Sequence, residues 1–325
     1  MVSSCFPGFH RVGLGLGALV WLACLSSACG SDSTGGGAGP VDPEGGTADG
    51  GGGDDTGTLP DGAVNPDPSP GCGVAGVKKG FVGGQSITVG GSKRTYELYV
   101  PDAYDGKKTY PIVFVFHGDG GDGAGIRGSF DLEKESAGGA IFVYPDGANN
   151  TWIIDDAGGL KADVAFIDAI AASLAKSHCT DAKRTFAVGF SKGAYFTNML
   201  ACLSRSNLRA IVTHAGGGPF GLDGSGTTFD GSGNLKCPAP PVAALQVQGS
   251  SDGSVPVSEG SKARDYWRRT NGCTTTSKAY DPSPCIAYDG CAADRPEVWC
   301  QIPGMGHTIW PQNGTKVTWA FLKTK

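Results

Sequence analysis

The chain has 325 residues, among them 55 glycines and 11 cysteines, and a formal net charge of −5 at neutral pH. Eight acidic residues fall in residues 30–71, which contain no lysine or arginine, so the remainder of the chain is nearly neutral. No block of basic residues occurs anywhere, and this argues against a nucleic-acid-binding function.

The first 29 residues have the features of an export signal. Arg11 precedes an uncharged apolar stretch, residues 12–25, which is shorter than the roughly 20 residues needed to span a bilayer. The sequence around Cys29 resembles a bacterial lipoprotein cleavage site, which predicts lipidation of Cys29 and anchoring at the outer membrane. Cleavage after Ala28 by an ordinary signal peptidase, with free secretion, is the alternative.

Residues 30–71 have the composition of a flexible linker, with 14 glycines and 6 prolines. Such a segment buries too little apolar surface to offset its chain entropy. Residues 72–325 are long enough for one domain with a full core. We therefore predict three parts: a signal peptide (1–29), a disordered linker (30–71) and a folded domain (72–325), which we expect to be monomeric.

Eight cysteines remain in the predicted domain, and an even number in an exported chain indicates disulfides. They are Cys72, Cys179, Cys202, Cys237, Cys273, Cys285, Cys291 and Cys300. Their spacing matches no zinc motif, and we expect neither a metal nor a cofactor. Eight cysteines allow 105 pairings; one expectation is that Cys285–Cys291 and Cys273–Cys300 close a local loop.

Apolar runs typical of strands alternate with helix-like periodicity along the domain. Strands are predicted at residues 94–100, 112–116, 140–144, 185–190, 209–213, 242–248 and 297–302. Helices are predicted at residues 162–175, 194–203, 258–270 and 314–323. This alternation predicts an α/β fold with a mainly parallel sheet, in which 94–100 forms an antiparallel edge. Ligands of such sheets bind beyond the carboxyl ends of the strands.

A Gly-x-Ser-x-Gly motif, residues 189–193, lies between the strand 185–190 and the following helix. This strand–turn–helix context is the one in which the motif carries a nucleophile, here Ser191. Gly189 and Gly193 avoid steric clashes in so tight a turn. Residues 249–253 match the motif again around Ser251, but the proline at position 256 disfavours a helix directly after it.

A serine nucleophile needs a general base. His307 is the first candidate, because it lies on a glycine-flanked loop just after the last strand. His214, which follows the strand 209–213, is the second candidate. His178 is expected at the surface, and His117 is expected in a structural or oxyanion-loop role.

Asp252 is the candidate acid that orients the base, since it follows the strand 242–248. The alternative is an ordinary turn aspartate. The amides of Lys192 and Asp119 are the expected oxyanion donors. Trp152 and Trp310 are candidate substrate-binding residues, together with Trp267, although large aromatic residues are more often part of the core.

These motifs together resemble the secreted α/β-hydrolases of the polyhydroxybutyrate-depolymerase and feruloyl-esterase group (carbohydrate esterase 1-like). The resemblance spans about residues 94–321 and rests on six stretches. They are residues 96–101, 116–121, 163–167, 189–193, 248–256 and 306–311. The family nucleophile, acid and base then fall on Ser191, Asp252 and His307.

The resemblance implies hydrolysis of small-molecule or oligosaccharide-linked esters, with feruloyl esters of plant polysaccharide as the expected substrates. A polyhydroxybutyrate or oligoester depolymerase is an alternative, although no polymer-binding module follows the domain. An inactive hydrolase-fold binding protein and a serine peptidase are further alternatives. The sequence departs from the group at Lys192, where many members have a small or amide residue, and at Gln248, where many have histidine.

Overall fold

The computed structural model describes residues 66–204 and 207–325. The predicted signal peptide, the lipidation candidate Cys29 and most of the predicted linker lie outside the described residues. Within the described ranges, no helix combines the length and apolarity that a bilayer-spanning segment needs.

A ten-stranded sheet forms the centre of the domain, with a separate two-stranded hairpin. The strands are β1 (Gly80–Val89), β2 (Ser92–Val100), β3 (Tyr110–Phe116), β4 (Ile141–Pro145), β5 (Thr180–Phe190), β6 (Leu208–His214), β7 (Thr228–Phe229), β8 (Leu235–Lys236), β9 (Ala243–Gly249), β10 (Ser277–Ala279), β11 (Ile286–Tyr288) and β12 (Glu297–Ile302). The helices are α1 (Gly123–Phe130), α2 (Leu132–Ser136), α3 (Ala157–Ser177), α4 (Lys192–Leu203), α5 (Val257–Thr270) and α6 (Gly314–Leu322).

The sheet order is β1-β2-β4-β3-β5-β6-β9-β12-β11-β10. The six strands from β4 to β12 run parallel, and antiparallel strands flank them on both sides. All residues of β3, β4 and β9 are buried, as expected of strands covered by helices on both faces. Side chains from α3, α4 and α5 form the core on one face, and those from α1, α2 and α6 form it on the other. The predicted α/β-hydrolase fold is confirmed.

The expectation that residues 94–100 form the edge strand is wrong. They belong to β2, and β1 pairs antiparallel outside it. The pairing of β1 shifts register between Val82 and Gln85, around the pair Gly83–Gly84. Two adjacent glycines weaken the strand pattern of β1 in the sequence, and the register shift marks a bulge that periodicity does not reveal.

The last residues of the predicted linker contact the folded domain. The Ser69 amide donates to the Thr180 carbonyl at 2.9 Å, and the Gly71 amide donates to the Ala175 carbonyl at 2.8 Å. Pro68 forms an isolated bridge with Asp181. The folded part therefore extends N-terminal of Cys72, the boundary that composition alone suggested.

All eight predicted cysteines form disulfides, but the expected local pairing is wrong. The pairs are Cys72–Cys179, Cys202–Cys237, Cys273–Cys291 and Cys285–Cys300. Strand register explains the last pair. Ile286 on β11 lies opposite Trp299 on β12, so the next pair along the antiparallel ladder is Cys285 with Cys300.

Candidate active site

Ser191 lies on the turn between β5 and α4 with φ 54° and ψ −123°, a conformation that L-residues rarely adopt. Such backbone strain costs about 1–3 kcal/mol and occurs mostly at functional sites. A Cβ atom added at Gly193 would overlap the carbonyl oxygens of Phe116 and His117. The glycines of the motif are therefore required by close backbone packing as well as by the turn.

The His307 imidazole joins Ser191 to Asp252. Its Nε2 lies 2.9 Å from Ser191 Oγ, and its Nδ1 lies 2.8 Å from Asp252 Oδ2. The three residues follow the carboxyl ends of β5, β9 and β12, which lie in the same parallel region of the sheet. With Nδ1 donating to the carboxylate, Nε2 is free to accept the proton of the serine hydroxyl.

Asp252 is held by four hydrogen-bond donors. Its Oδ1 accepts from the amides of Ser254 at 2.9 Å and Val255 at 2.8 Å, and its Oδ2 also accepts from Gln248 Nε2 at 3.2 Å. Burial by itself raises the pKa of Asp252, but the hydrogen bonds from the Val255 amide, His307 and the Ser254 amide outweigh it and lower the pKa. The acid is thus ionised when it faces the imidazole.

Gln248 contacts Asp252, although no role in the site was predicted for it from the sequence. Its side-chain amide also donates to the Val255 carbonyl at 2.7 Å, so it ties both ends of the turn that carries Asp252. The sequence did contain an indication of this: many members of the group that the chain resembles have histidine at the position of Gln248.

The loops carrying Asp252 and His307 are hydrogen-bonded to each other. The Ser250 amide donates to the Ile302 carbonyl at 2.9 Å, and the Ser251 amide donates to the Met305 carbonyl at 3.0 Å. Gly304 donates its amide to Ser250 Oγ at 2.8 Å. Ser251, the alternative motif serine, is thus part of the connection between the two loops, whereas Ser191 is the serine hydrogen-bonded to His307.

His214 does not approach the Ser191 hydroxyl with its imidazole. The ring is fully buried, and its Nε2 lies 3.1 Å from Thr318 Oγ1 on α6. Burial lowers the pKa of His214 to about 3, so the ring stays neutral. The backbone carbonyl of His214, rather than its ring, contacts Ser191 and accepts the Ser191 amide at 3.0 Å. The second candidate base is therefore not supported.

The expectation that His178 lies at the surface is wrong. Only 9% of the residue is exposed, and burial lowers its pKa. Its ring packs edge-on against Tyr104 and its Nδ1 lies 2.8 Å from Ser177 Oγ. The position at a helix end suggested exposure, but residues 66–71 cover that end in the tertiary structure.

His117 connects the loop 117–121 to the loop 146–153. Its Nε2 accepts the Gly147 amide at 2.9 Å, which leaves Nδ1 to donate to the Gly118 carbonyl at 2.7 Å. A Cβ added at Gly118 would lie 3.2 Å from Ser191 Cβ. The loop that bears Asp119 thus lies beside Ser191, and Lys192 is the first residue of α4.

The tryptophan candidates are not available to a substrate. Trp152 is fully buried, stacks on Phe196 with ring centroids 4.6 Å apart, and donates to the His117 carbonyl at 3.0 Å. Trp310 and Trp267 are 5% and 1% exposed and belong to the core. The prediction that these residues bind substrate is therefore corrected: their large apolar rings are packed in the core.

Two half-buried aromatic residues lie near the nucleophile instead. The Phe190 ring centroid is 5.1 Å from that of His307. Tyr195, one helical turn after Ser191, places its hydroxyl 3.4 Å from Glu259 Oε2. Burial and the carboxylate of Glu259 raise the pKa of Tyr195 to about 12, so it remains a neutral phenol. Their closeness to Ser191 in sequence is the signal that could have found them.

No protein-family model matches the chain. In structure it is similar to the acetyl xylan esterase from Aspergillus awamori, with a TM-score of 0.57, 16% identity and coverage of 75% of this chain and 100% of that one. It is also similar to the esterase PE8, with a TM-score of 0.50, 19% identity and coverage of 74% of this chain and 99% of that one. These likenesses concern the fold.

Several curated proteins have a higher sequence identity to this chain than these two structures have. Feruloyl esterase D of Neurospora crassa is 28% identical over 284 residues, which cover 78% of this chain and 90% of the relative. Feruloyl esterase C of Emericella nidulans is 32% identical over 252 residues, 70% of this chain and 83% of the relative. Probable feruloyl esterase C of Aspergillus clavatus is also 32% identical, with the same coverage. At this identity and coverage, the chain belongs to the family of the fungal feruloyl esterases.

Proposed function

We propose that this protein is a serine-dependent carboxylic ester hydrolase that forms an acyl-enzyme on Ser191. The observation that carries the proposal is the position of the His307 imidazole, hydrogen-bonded to Ser191 Oγ at 2.9 Å and to Asp252 at 2.8 Å. A hydroxyl, an imidazole and an ionised carboxylate in this order are the components of nucleophilic acyl transfer.

In the first half of the reaction, Ser191 Oγ attacks the ester carbonyl carbon while its proton moves to His307 Nε2. The imidazolium that forms is stabilised by Asp252, whose two amide hydrogen bonds hold it in place. The carbonyl oxygen becomes an oxyanion, which the amides of Lys192 and Asp119 would bind. Losing one such donor costs about 3 kcal/mol of transition-state stabilisation.

The tetrahedral intermediate collapses when His307 gives its proton to the departing alcohol oxygen, leaving the acyl group on Ser191. Water then attacks the acyl carbon, again with His307 as base, and the acid is released as Ser191 recovers its proton. Each step moves one proton to or from His307 Nε2. The same hydrogen-bonded residues, Ser191, His307 and Asp252, therefore serve both acylation and deacylation.

We propose feruloyl-type esters of plant polysaccharide as the substrates, on the basis of the family to which the chain belongs. The half-buried rings of Phe190 and Tyr195, which neighbour Ser191 in the chain, are aromatic surfaces that could contact a hydroxycinnamoyl ring. Flat aromatic groups of this kind gain stabilisation by stacking or edge-on contact.

Purified enzyme assayed on methyl ferulate, methyl hexanoate, a hydroxybutyrate oligomer and a peptide amide would test the substrate class. We expect the highest kcat/KM on the feruloyl ester and loss of at least 10⁵-fold in kcat in Ser191→Ala, with Ser251→Ala as the matched control. Full activity in Ser191→Ala would refute the proposal. Faster turnover of the oligoester or the peptide would assign a depolymerase or a peptidase.

An inactive binding protein of the same fold is distinguished by chemistry rather than by affinity. A fluorophosphonate forms a covalent bond only with a serine that is activated by its base. We expect wild type to label and Ser191→Ala not to label. Absence of labelling in folded wild type would favour the binding protein.

We propose further that the protein is exported and anchored by lipid on Cys29, which lies outside the described residues. Four disulfides are compatible with an oxidising compartment. Labelling with a fatty-acid analogue should modify wild type and the Cys24→Ser control but not Cys29→Ser. Absence of lipid in all three proteins would favour cleavage after Ala28 and free secretion.

We also propose that the protein is a monomer, which size-exclusion chromatography would test.

A further inference from the structure

An ion pair joins the two residues whose amides are assigned to the oxyanion hole. Lys192 Nζ lies 3.4 Å from Asp119 Oδ1, with 28% of the lysine side chain and 66% of the aspartate side chain exposed. The first residue is carried by α4 and the second by the loop after β3. The side-chain pair therefore spans the same gap that the two backbone donors must span.

Asp119 has a second partner on the neighbouring loop. Thr151 Oγ1 donates a hydrogen bond to the same carboxylate oxygen. This hydrogen bond, together with the charge of Lys192, lowers the pKa of Asp119 against the opposing effect of burial. The carboxylate is accordingly ionised at neutral pH and available to both partners.

The loop 146–153 also forms hydrogen bonds with the backbone of the loop 117–121. The Gly120 amide donates to the Asn150 carbonyl at 2.8 Å, and the Asn150 side chain donates to the Gly121 carbonyl at 3.0 Å. These bonds engage the residues that follow Asp119, whereas the Asp119 side chain itself pairs with Lys192 on α4.

The loop 146–153 is in turn anchored from the sheet and from α3. Arg94 forms a partly buried ion pair with Asp163 at 2.8 Å and donates to the Asp146 carbonyl at 3.0 Å. Asp163 also accepts the Ile153 amide at 2.9 Å. The 163–167 motif has no direct part in the triad, but its Asp163 helps to hold the loop 146–153, which contacts Asp119.

We propose that the side chains of Asp119 and Lys192 are positioning residues that set the spacing of the two oxyanion donors, an inference that rests on the proposed function. Two amides on separate segments bind one oxygen well only if both lie within hydrogen-bond range of it at once. The Lys192–Asp119–Thr151 bridge, held by the anchored loop, fixes one segment against the other.

The expected effect is on turnover, because an exposed ion pair contributes little to folding stability. Asp119→Asn and Lys192→Met retain side-chain size and both backbone amides. Each should lower kcat about tenfold, with KM changed less than twofold and the unfolding temperature unchanged. The double variant should be no slower than the slower single variant, because both changes break the same bridge.

The matched control is Asp294→Asn, which removes another exposed ion pair, that of Arg209 with Asp294 at 2.9 Å. It should leave all kinetic constants unchanged, and Lys192→Arg should restore most of the turnover. Affinity for a boronic acid, which mimics the tetrahedral intermediate, should fall in parallel with kcat in the two bridge variants. A purely structural role would lower the unfolding temperature without this parallel loss.

Two results would overturn the inference. Turnover within twofold of wild type in both single variants would show that the bridge does not position the donors. Faster turnover in Asp119→Asn would show that Lys192 acts directly by its charge, which the aspartate then only neutralises. Both results require active wild type, so they differ from failure of the proposed function, in which wild type neither labels with fluorophosphonate nor hydrolyses esters.

Discussion

Replacing Asp252 with asparagine tests the proposed chemistry most sharply, because the two side chains have the same size. Each oxygen of Asp252 faces donors only: Oδ1 faces the amides of Ser254 and Val255, and Oδ2 faces His307 Nδ1 and Gln248 Nε2. An asparagine NH₂ group must therefore point at donors in either orientation.

The orientation with the asparagine oxygen on the two backbone amides loses fewer hydrogen bonds. The NH₂ group then faces His307 and donates to Nδ1, so the ring carries its proton on Nε2. In this tautomer Nε2 cannot accept the proton of Ser191, and the nucleophile has no base. We expect kcat to fall about 10⁴-fold, which corresponds to about 5.5 kcal/mol of transition-state stabilisation.

Initial rates at saturating methyl ferulate measure the loss in kcat. The rate of fluorophosphonate labelling measures the loss of serine activation without the ester substrate. Asp223→Asn, a change on an exposed loop, is the matched control and should keep wild-type rates. If Asp252→Asn retains more than a tenth of the wild-type kcat and labelling rate, the assignment of Asp252 as the orienting acid is refuted.

Three further predictions concern stability and are tested by urea denaturation. Gly193→Ala should lower the free energy of unfolding by about 3 kcal/mol through backbone overlap, whereas Gly128→Ala, which meets nothing within 4 Å, should not lower it; equal midpoints would contradict the packing argument. Glu297 is fully buried, and neither carboxyl oxygen has a hydrogen-bond partner in residues 66–204 and 207–325. Burial raises its pKa well above 4.5, so the folded state keeps a proton that the unfolded chain releases. The contribution of Glu297 to stability should be full below pH 4.5 and fall by about 1.4 kcal/mol per pH unit above it, up to the folded pKa; the difference in stability between wild type and Glu297→Gln should therefore fall with this slope, and parallel pH profiles of the two would disprove it. Replacing both cysteines of Cys72–Cys179, separated by 107 residues, should cost about 5 kcal/mol, and replacing those of Cys285–Cys300, separated by 15, about 3 kcal/mol; the reverse order would contradict the loop-entropy argument.

The sequence by itself determined the features that depend on local pattern. Continuous apolar runs predicted the buried parallel strands, and the Gly-x-Ser-x-Gly turn between a strand and a helix predicted the place of Ser191. The chain order of Ser191, Asp252 and His307 predicted which loops should meet, since each follows a strand whose carboxyl end faces the same edge.

Only the tertiary structure decided which partners lie across those loops. The His307–Ser191 contact joins residues 116 positions apart, and the Lys192–Asp119 bridge joins residues 73 apart. The same holds for the pairing of Cys285 with Cys300, which follows from strand register, and for the burial of Trp152. Periodicity within one segment fixes which of its faces is buried, but register and loop contacts depend on several segments packing together, and no single segment encodes that sum.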